Sequence, residues 1–548
     1  MLTFRNVSIG NSFFSFIYEF WYARQKSNNR AFHRLCSLMR KMEAKTAIVE
    51  NIEPNDGLIR EEKEALDRYF DCNIEMRIFR LSFCIEKISK EEELKKLDGN
   101  NSFLANATII NFKENDSWHS YIFNAIVTIP MMKPKKKEIY HNFIPLLNNY
   151  IYSTKMFDCQ IKCSDKDIYT YKIFGSYFCQ QNSFTSVCGH AALCMTINNT
   201  DLSKIGIITA EHLNKFLRID HKSKRFRDNI NISDTNIMSF LESMGLSVDG
   251  KNFFENNYDG KPVIDYSEYL YRYIESRHPC LLIFTTKEKN EMHIVPILGH
   301  TLNTDLWKPE AEIAYSNIVE TEALKFNYRS ASAWVDHFLI HDDNFGMYYC
   351  LPVDLLRRTT SFKSEPSFRA MKAIIIKPKN VKTPAWEAEK NSIEIMEDNI
   401  IDVINLSRDA VNFWVLELAA YVSNKLNTPF VVRTLLVTKE DYHKNLNHRD
   451  FGDIMFTIRE KKEIMEGLPE IFWLTEITLP DLYTANKTKL VDIFYKSDAD
   501  KDVREENWIQ TRLPGFLIKK SKKTFVPLGV SSHYPLFRFK EAHEIYEW

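Results

Sequence analysis

Residues 179–199 read CQQNSFTSVCGHAALCMTINN and change character in the middle. Polar residues end at Val187, and small or apolar residues at helical spacing run from Cys188 until Asn198 and Asn199. This pattern predicts a buried helix that has Cys188 in its first turn. Free backbone N–H groups and the positive end of the helix dipole stabilise a thiolate there. Because the thiolate is the nucleophilic form of cysteine, Cys188 is a candidate catalytic nucleophile.

A candidate base follows later in the chain. Residues 275–301, ESRHPCLLIFTTKEKNEMHIVPILGHT, read as a buried strand, a polar turn and a second strand. His293 opens the second strand. A histidine at a strand end beside a cleft is suited to take a proton from a thiol, so we predict that His293 is the general base.

A candidate carboxylate lies at the end of a third predicted strand. Residues 336–349 read DHFLIHDDNFGMYY. If this strand pairs antiparallel with the strand that His293 opens, its end brings Asp342 or Asp343 beside the imidazole. Alternation gives Asp342 the more apolar face, where a charge must be paired. We therefore expect Asp342 to orient His293, with Asp343 as the alternative.

An oxyanion donor is expected among the glutamines upstream of the nucleophile. Gln180 and Gln181 lie near enough to Cys188 for a side-chain amide to return toward its sulfur. An N–H donor beside the nucleophile stabilises the oxyanion that forms during acyl transfer. The residues alone leave open which glutamine takes this role.

The stretch from Gln181 to Leu193 resembles the nucleophile segment of papain-like cysteine peptidases, and is closest to the bacteriocin-processing branch that recognises double-glycine leaders. In that branch a Gln precedes a Cys-Gly that opens a helix, a His opens a later strand and an Asp closes the next strand. The resemblance covers roughly residues 171–360. It implies a Cys188 nucleophile, a His293 base, an Asp342 third member and a Gln181 oxyanion donor.

The chain is predicted to be an α+β protein in which a papain-like core, a helix carrying the cysteine packed on an antiparallel sheet, is flanked by two α/β regions of unknown role. We place these regions at residues 1–170 and 367–548, and the hydrolase domain at residues 171–366. Residues 1–60 read as mainly helical. A cluster of Ser, Pro and Lys before residue 367 suggests the second boundary.

Residues 301–335 form an insertion between the strand of the base and the strand of the carboxylate. We expect it to pack near the cleft and shape substrate access, because it is rich in aromatic side chains: Trp307, Tyr315, Phe326, Tyr328 and Trp334.

Composition narrows the class of protein. The chain has 72 Lys and Arg against 73 Asp and Glu, and a net charge of -1, which gives no sign of a nucleic-acid partner. The basic runs at 133–137, 221–227 and 519–523 are far apart and read as solvated loops. The ten cysteines have no regular spacing, and no apolar run is long enough to span a membrane. We expect a cytoplasmic protein with reduced thiols, and the sequence does not specify an oligomeric state.

No metal or cofactor is predicted. One possible ligand set, Cys179, Cys188, His190 and Cys194, fits no common zinc spacing. A hard cation at residues 341–343 is a second possibility, but such a run more often forms a turn.

The function predicted from these residues is a cysteine-dependent hydrolase, a peptidase or isopeptidase, whose partner is a protein or peptide substrate. Two alternatives keep the fold. One is an acyltransferase or transpeptidase, in which the acyl acceptor is not water. The other is a catalytically silent scaffold that binds a partner protein through its outer regions; there Cys188 would be a small buried hydrophobe, as Cys194 is expected to be.

Overall fold

The computed structural model describes most of the chain, namely residues 2–8, 12–24, 29–99, 102–130, 147–151, 153–164, 167–200, 206–219, 232–253, 265–286, 292–303, 326–357, 368–406, 430–446, 456–480, 483, 490–499, 504–513, 515–520, 524–528 and 543–545. Trp307 and Tyr315 lie outside the described residues. So do the first two basic runs and part of the third.

Seven described strands form an antiparallel N-terminal sheet. Their spatial order is β1 (Thr3–Asn6), β2 (Thr46–Ile52), β3 (Glu75–Cys84), β4 (Phe103–Glu114), β5 (Ser117–Thr128), β8 (Ile168–Phe178) and β7 (Lys155–Lys162). Four helices belong to the same part of the chain, α1 (Ser12–Phe20), α2 (Arg30–Lys41), α3 (Gly57–Phe70) and α4 (Glu91–Leu94). The mainly helical prediction for residues 1–60 was wrong at β1 and β2. The stretch TAIVENI is short and rich in β-branched residues, and it pairs with β3.

The central sheet contains eight described strands. Six of them run in the spatial order β14 (Gly346–Pro352), β13 (His337–Asp342), β11 (Met292–Asn303), β10 (Cys280–Thr285), β15 (Arg369–Lys377) and β9 (Ser247–Asn252); β6 (Leu147–Ile151) pairs with β11 and with β22 (His543–Ile545). The predicted antiparallel pairing of β11 with β13 is confirmed, since Ile297 faces Ile340 and His300 faces Phe338. The start of β11 therefore lies toward the end of β13.

The C-terminal sheet has seven described strands. Their order is β12 (Tyr328–Ser330), β16 (Phe430–Thr438), β17 (Ile471–Thr478), β18 (Val491–Lys496), β19 (Trp508–Leu513), β20 (Phe516–Lys519) and β21 (Thr524–Pro527). Only β12 and β16 pair in parallel within this sheet. β12 and the 3₁₀ turn that follows it are the described end of the predicted insertion. Tyr328 and Trp334 are buried in the core there, so this end of the insertion is not a surface loop.

Nine further helices complete the described elements. They are α5 (Cys188–Asn198), α6 (Ala210–Leu217), α7 (Asp234–Ser243), α8 (Tyr266–Glu275), α9 (Val353–Arg357), α10 (Ala385–Leu406), α11 (Lys439–Leu446), α12 (Ile458–Met465) and α13 (Arg504–Asn507).

The elements stack in layers around shared cores. One core joins the N-terminal sheet, α5 and one face of the central sheet, where Leu281, Ile294 and Leu298 contribute. A second core joins the opposite face of the central sheet to α8, α10 and the C-terminal sheet. α5 thus lies between two sheets, which explains why nearly all of its residues are buried and apolar or small.

The α+β class with antiparallel sheets is confirmed. Strand pairing crosses both predicted region boundaries: residue 170 falls inside β8 of the N-terminal sheet, and β15, after residue 367, pairs with β10 and β9 in the central sheet. Among the described helices, none combines the length and the apolar character needed to cross a membrane.

Candidate active site

Four of the five predicted site residues converge where α5, β11 and β13 meet. The Cys188 side chain lies close enough to the His293 imidazole to raise the pKa of that histidine. Its Nε2 lies 3.1 Å from Asp342 Oδ2 and 3.6 Å from Asp343 Oδ1. The fifth predicted residue, Gln181, is half-buried upstream of α5, and its side chain hydrogen-bonds to none of the described residues.

Cys188 occupies the first position of α5, after an extended Val187 with φ -128° and ψ 176°. The imidazole of His190, one turn into the helix, holds this end in place. Its Nδ1 accepts from the Val187 N–H at 3.1 Å, and its Nε2 donates to Asn214 Oδ1 at 2.8 Å. Both ring nitrogens are therefore engaged, which removes His190 from the conceivable metal set with Cys188. The thiol itself is half-buried.

Asn182 organises the loop that leads to the nucleophile. Its Oδ1 accepts three backbone N–H bonds, from Phe184, Thr185 and Ser186, at 2.8, 2.8 and 3.1 Å. Its Nδ2 donates to Glu62 of α3 at 2.8 Å. One buried amide thus turns the chain and fastens it to the N-terminal region.

Gln180 is a tie between elements. Its Oε1 accepts from the Ile122 N–H of β5 at 2.9 Å, and its Nε2 donates to the carbonyl oxygen of Asp343 at 2.9 Å. Because both ends of this amide are committed, Gln180 holds the carboxylate turn against the nucleophile loop. The neighbouring Gln181 keeps its amide available for a ligand.

The imidazole of His293 is held on one side by an aromatic ring. Phe284 is its cross-strand partner in β10, and the two rings are perpendicular with centroids 5.6 Å apart. Burial lowers the pKa of His293, but hydrogen bonds to Asp342 and Cys188, with the charges of both aspartates, outweigh burial and hold the pKa well above its usual range. The site therefore favours an imidazolium beside the sulfur.

Asp342 is the last residue of β13, immediately before the turn that leads to β14. Its Oδ1 accepts from the N–H groups of Asn344 and Phe345 at 2.8 and 3.1 Å, which leaves Oδ2 for His293. Gly346 closes this turn with φ +118°, and a Cβ there would lie 2.9 Å from Cβ of Arg34, so helix α2 packs directly on the turn.

Helix α2 also clamps the strand that follows. The Arg34 guanidinium donates to the carbonyl oxygens of Met347 and Tyr348 at 3.1 and 2.7 Å. The N-terminal region therefore fixes both the nucleophile loop, through Glu62, and the carboxylate turn, through Arg34 and Gly346.

Asp343 differs from its neighbour because it is almost fully enclosed. Its side chain is 1% exposed, and its Oδ2 has no hydrogen-bond partner among the described residues. Burial raises the pKa of Asp343 to about 7, opposed by the charge of His293 and assisted by that of Asp342.

The same residues could offer ligands to a metal ion. Ligand atoms of His293, Asp342 and Asp343 lie within 4.8 Å of one another. However, the imidazole and Asp342 are already at direct hydrogen-bonding distance, and Asp342 Oδ1 is occupied by two backbone N–H groups. The geometry fits a hydrogen-bonded chain better than an open coordination sphere.

The other cysteines are of a different kind. A hydrogen bond with Cys194 and, as the next largest cause, burial raise the pKa of Cys179 well above its usual range, and burial raises the pKa of Cys36 and Cys280. These are inert structural thiols. The two exposed cysteines, Cys72 and Cys350, lie outside the site.

Sequence reasoning missed Asn182, His190 and the tying role of Gln180. The polar run after Gln181 is a turn signal that could have pointed to Asn182. Nothing local indicates that His190 caps a helix or that Gln180 reaches Asp343. No protein-family model and no curated protein matches the chain.

Proposed function

We propose that this protein is a cysteine-dependent hydrolase with a papain-like core, acting on amide, peptide or isopeptide bonds. The observation that carries the proposal is the convergence of Cys188, His293 and Asp342, each at the end of a separate element. The thiol lies close enough to the imidazole to raise the pKa of His293, and the imidazole hydrogen-bonds to Asp342. Nucleophile, base and orienting carboxylate in this order are what thiol acyl transfer needs.

The reaction follows from these positions. The Cys188 sulfur attacks the carbonyl carbon, and a C–S bond forms while the carbonyl oxygen becomes an oxyanion. The free amide of Gln181 and the first-turn N–H of Cys188 are the proposed donors to that oxyanion. The imidazolium of His293 protonates the leaving amine as the C–N bond breaks. It then takes a proton from the water that hydrolyses the thioester, and Asp342 holds the ring orientation throughout.

The state of the thiols supports a reducing compartment, and we propose a cytoplasmic location. All ten cysteines are free, including the half-buried Cys188. A thiol nucleophile requires such surroundings, because oxidation would remove the reactive thiolate.

The test uses the thiol itself, since it does not need a known substrate. Limited iodoacetamide treatment at about pH 6, followed by mass spectrometry, should label Cys188 before the exposed Cys72, because most ordinary thiols are protonated at that pH. His293→Ala should remove this preference and leave the labelling of Cys72 unchanged. If Cys72 reacts first in the native protein, the ion-paired nucleophile is excluded.

Turnover should be measured next, on a mixed fluorogenic peptide library. Cys188→Ala should abolish cleavage. Gln181→Ala should lower the rate about a hundredfold without changing the melting temperature, whereas Gln180→Ala should lower the melting temperature, because Gln180 ties two elements together. Products that carry an added amine instead of a new carboxylate would indicate acyl transfer instead of hydrolysis.

A further inference from the structure

A cavity of about 530 Å³ lies at the end of α5 opposite to Cys188. It is bordered by the segments that follow α5, α7 and α8 and by the end of β15. Because α5 has 11 residues, its two ends are about 16 Å apart. The cavity is therefore separate from the candidate active site, although the same helix borders both.

The charged residues among the described lining of this cavity are all cations. They are Lys155, Arg277, Lys377 and Lys379, and no Asp or Glu is among the described lining residues. Hydroxyl groups of Ser153, Thr154 and Ser247 complete a wall rich in donors. Such a wall suits a ligand that has several anionic oxygens.

The cations have another possible role, which is to neutralise the helix ends. The C-terminal ends of α5, α7 and α8 each carry about half a negative charge, or about -1.5 in total. The Lys155 ammonium does serve α5, since it donates to the Thr200 carbonyl at 2.9 Å. Lys377 lies 3.7 Å from Asp249, whose side chain is 40% exposed. Four positive charges exceed these partners together, so a net positive potential remains in the cavity.

Two of the cations have side chains that none of the described residues engages. Arg277 and Lys379 are exposed, and neither side chain makes a hydrogen bond or ion pair with the described residues. The Lys379 ammonium lies over Gly245, 3.7 Å from where a Cβ would stand. His278 is a neutral part of the wall, because burial lowers its pKa to about 4.

We propose that this cavity binds a small molecule that carries two or more phosphate groups. Its volume lies within the usual range of about 300–1000 Å³ for small-molecule sites, and it is larger than one phosphate requires. The planar guanidinium of Arg277 suits two oxygens of one phosphate, and the lysines supply point charges to the next.

The test is isothermal titration of the full-length protein with tripolyphosphate at low salt. Wild type should bind, and the double variant Arg277→Gln, Lys379→Gln should bind at least about tenfold more weakly, since it loses two charge-assisted contacts. A matched control is Lys461→Gln, Lys462→Gln, which removes two lysines of α12 that lie outside this cavity; its affinity should equal that of wild type. Melting temperatures without ligand show whether each variant is folded.

A second variant leaves all four cations in place. Ser247→Asp adds a negative charge at the wall and should also weaken binding by about tenfold. Absence of binding to wild type would overturn the proposal. So would an equal loss in the α12 control, or equally tight binding of citrate, because the site would then not select phosphate.

Discussion

Asp342 and Asp343 are neighbours in sequence and face the same imidazole, but their surroundings differ. Asp342 accepts two backbone N–H bonds at one oxygen and a bond from His293 at the other, so both of its oxygens have partners. Asp343 is enclosed, and one of its oxygens has no described hydrogen-bond partner. Asp342 is therefore suited to orient a charged imidazole. Asp343 lowers the stability of the folded protein when it is ionised, so its effect on stability depends on pH.

The two carboxylates should therefore respond differently to the same substitution. Asp342→Asn should lower turnover by about a thousandfold or more, because an amide in that place favours the wrong imidazole tautomer. Asp343→Asn should have a mild effect, since Asp343 lies at 3.6 Å and mainly adds a charge nearby. Steady-state kinetics on the peptide library would compare them. The reverse ranking would assign the orienting role to Asp343.

Asp343 should also make stability depend on pH. Its folded pKa of about 7 lies above the ordinary value of 3.8, so its contribution is fully present below about pH 4 and is lost as pH rises to about 7. The pKa of His293 is also raised, partly by the charge of Asp343, so the contribution of His293 to stability is likewise lost as pH rises, but at higher pH. Asp343→Asn should therefore gain stability relative to wild type, by up to a few kcal/mol, between pH 5 and pH 8.

Urea unfolding of both proteins at the two pH values would measure this difference. The two proteins differ only in Asp343 and in its effect on the pKa of His293, so wild type serves as the reference at each pH. If the free energy of unfolding changes by the same amount between pH 5 and pH 8 in wild type and in Asp343→Asn, Asp343 is not the source of the pH dependence of stability.

At the scale of elements, local patterns predicted the parts of the site that depend on local structure. The run of small and apolar residues after Cys188 predicted helix α5, and two apolar segments separated by a polar turn predicted strands β10 and β11. The contacts that fix the site could not be predicted in this way, because they join distant residues. Gln180 reaches Asp343 across 163 residues, and Asn182 reaches Glu62 across 120. Hydrogen bonds of this kind depend on the packing of whole sheets.

The loop before α5 should be the most sensitive of these elements. Asn182→Ala removes an acceptor of three backbone N–H bonds and the donor to Glu62, in a buried place. We expect a loss of about 2–4 kcal/mol in stability, together with lower turnover, because Cys188 loses its fixed position. Asn380→Ala, at an exposed position, is the matched control and should change neither quantity.

Urea unfolding and peptide turnover would be measured on the same preparations. Lower stability with unchanged turnover would mean that the loop supports the fold but does not position the nucleophile.

At the scale of the whole molecule, the three sheets behave as layers of one structure. The Ser, Pro and Lys cluster before residue 367 was read as a boundary, yet β15 beyond it pairs inside the central sheet. Such a cluster predicts a connection between elements, but it does not reveal which sheet the following strand joins. The aromatic residues of the insertion predict that it packs near the cleft and shapes substrate access. At its described end, however, Tyr328 and Trp334 lie in the core between the central and C-terminal sheets.

A buried ionic network joins these two sheets. The Arg433 guanidinium of β16 bonds to Glu275 at the end of α8 and, at 2.6 Å, to Glu476 of β17. Glu275 in turn lies 2.5 Å from His300 Nε2 on β11, the strand that His293 opens. The four side chains are at most 4% exposed, so each charge depends on its partners.

Arg433→Met should therefore destabilise the protein strongly. The substitution keeps a long side chain but removes the guanidinium that bonds to the buried carboxylates of Glu275 and Glu476, and removal of one partner from such a network costs about 3–5 kcal/mol. Arg60→Met is the matched control, because Arg60 is 62% exposed and lies 3.9 Å from Glu64 on the surface of α3; its loss should leave the free energy of unfolding nearly unchanged.

Adding Glu275→Gln and Glu476→Gln to Arg433→Met should recover part of the lost stability, since the two carboxylate charges are then gone. Chemical unfolding would measure the free energy of unfolding of the three variants and of wild type. Equal stability of the Arg433→Met and Arg60→Met variants would mean that the central and C-terminal sheets hold together without this network.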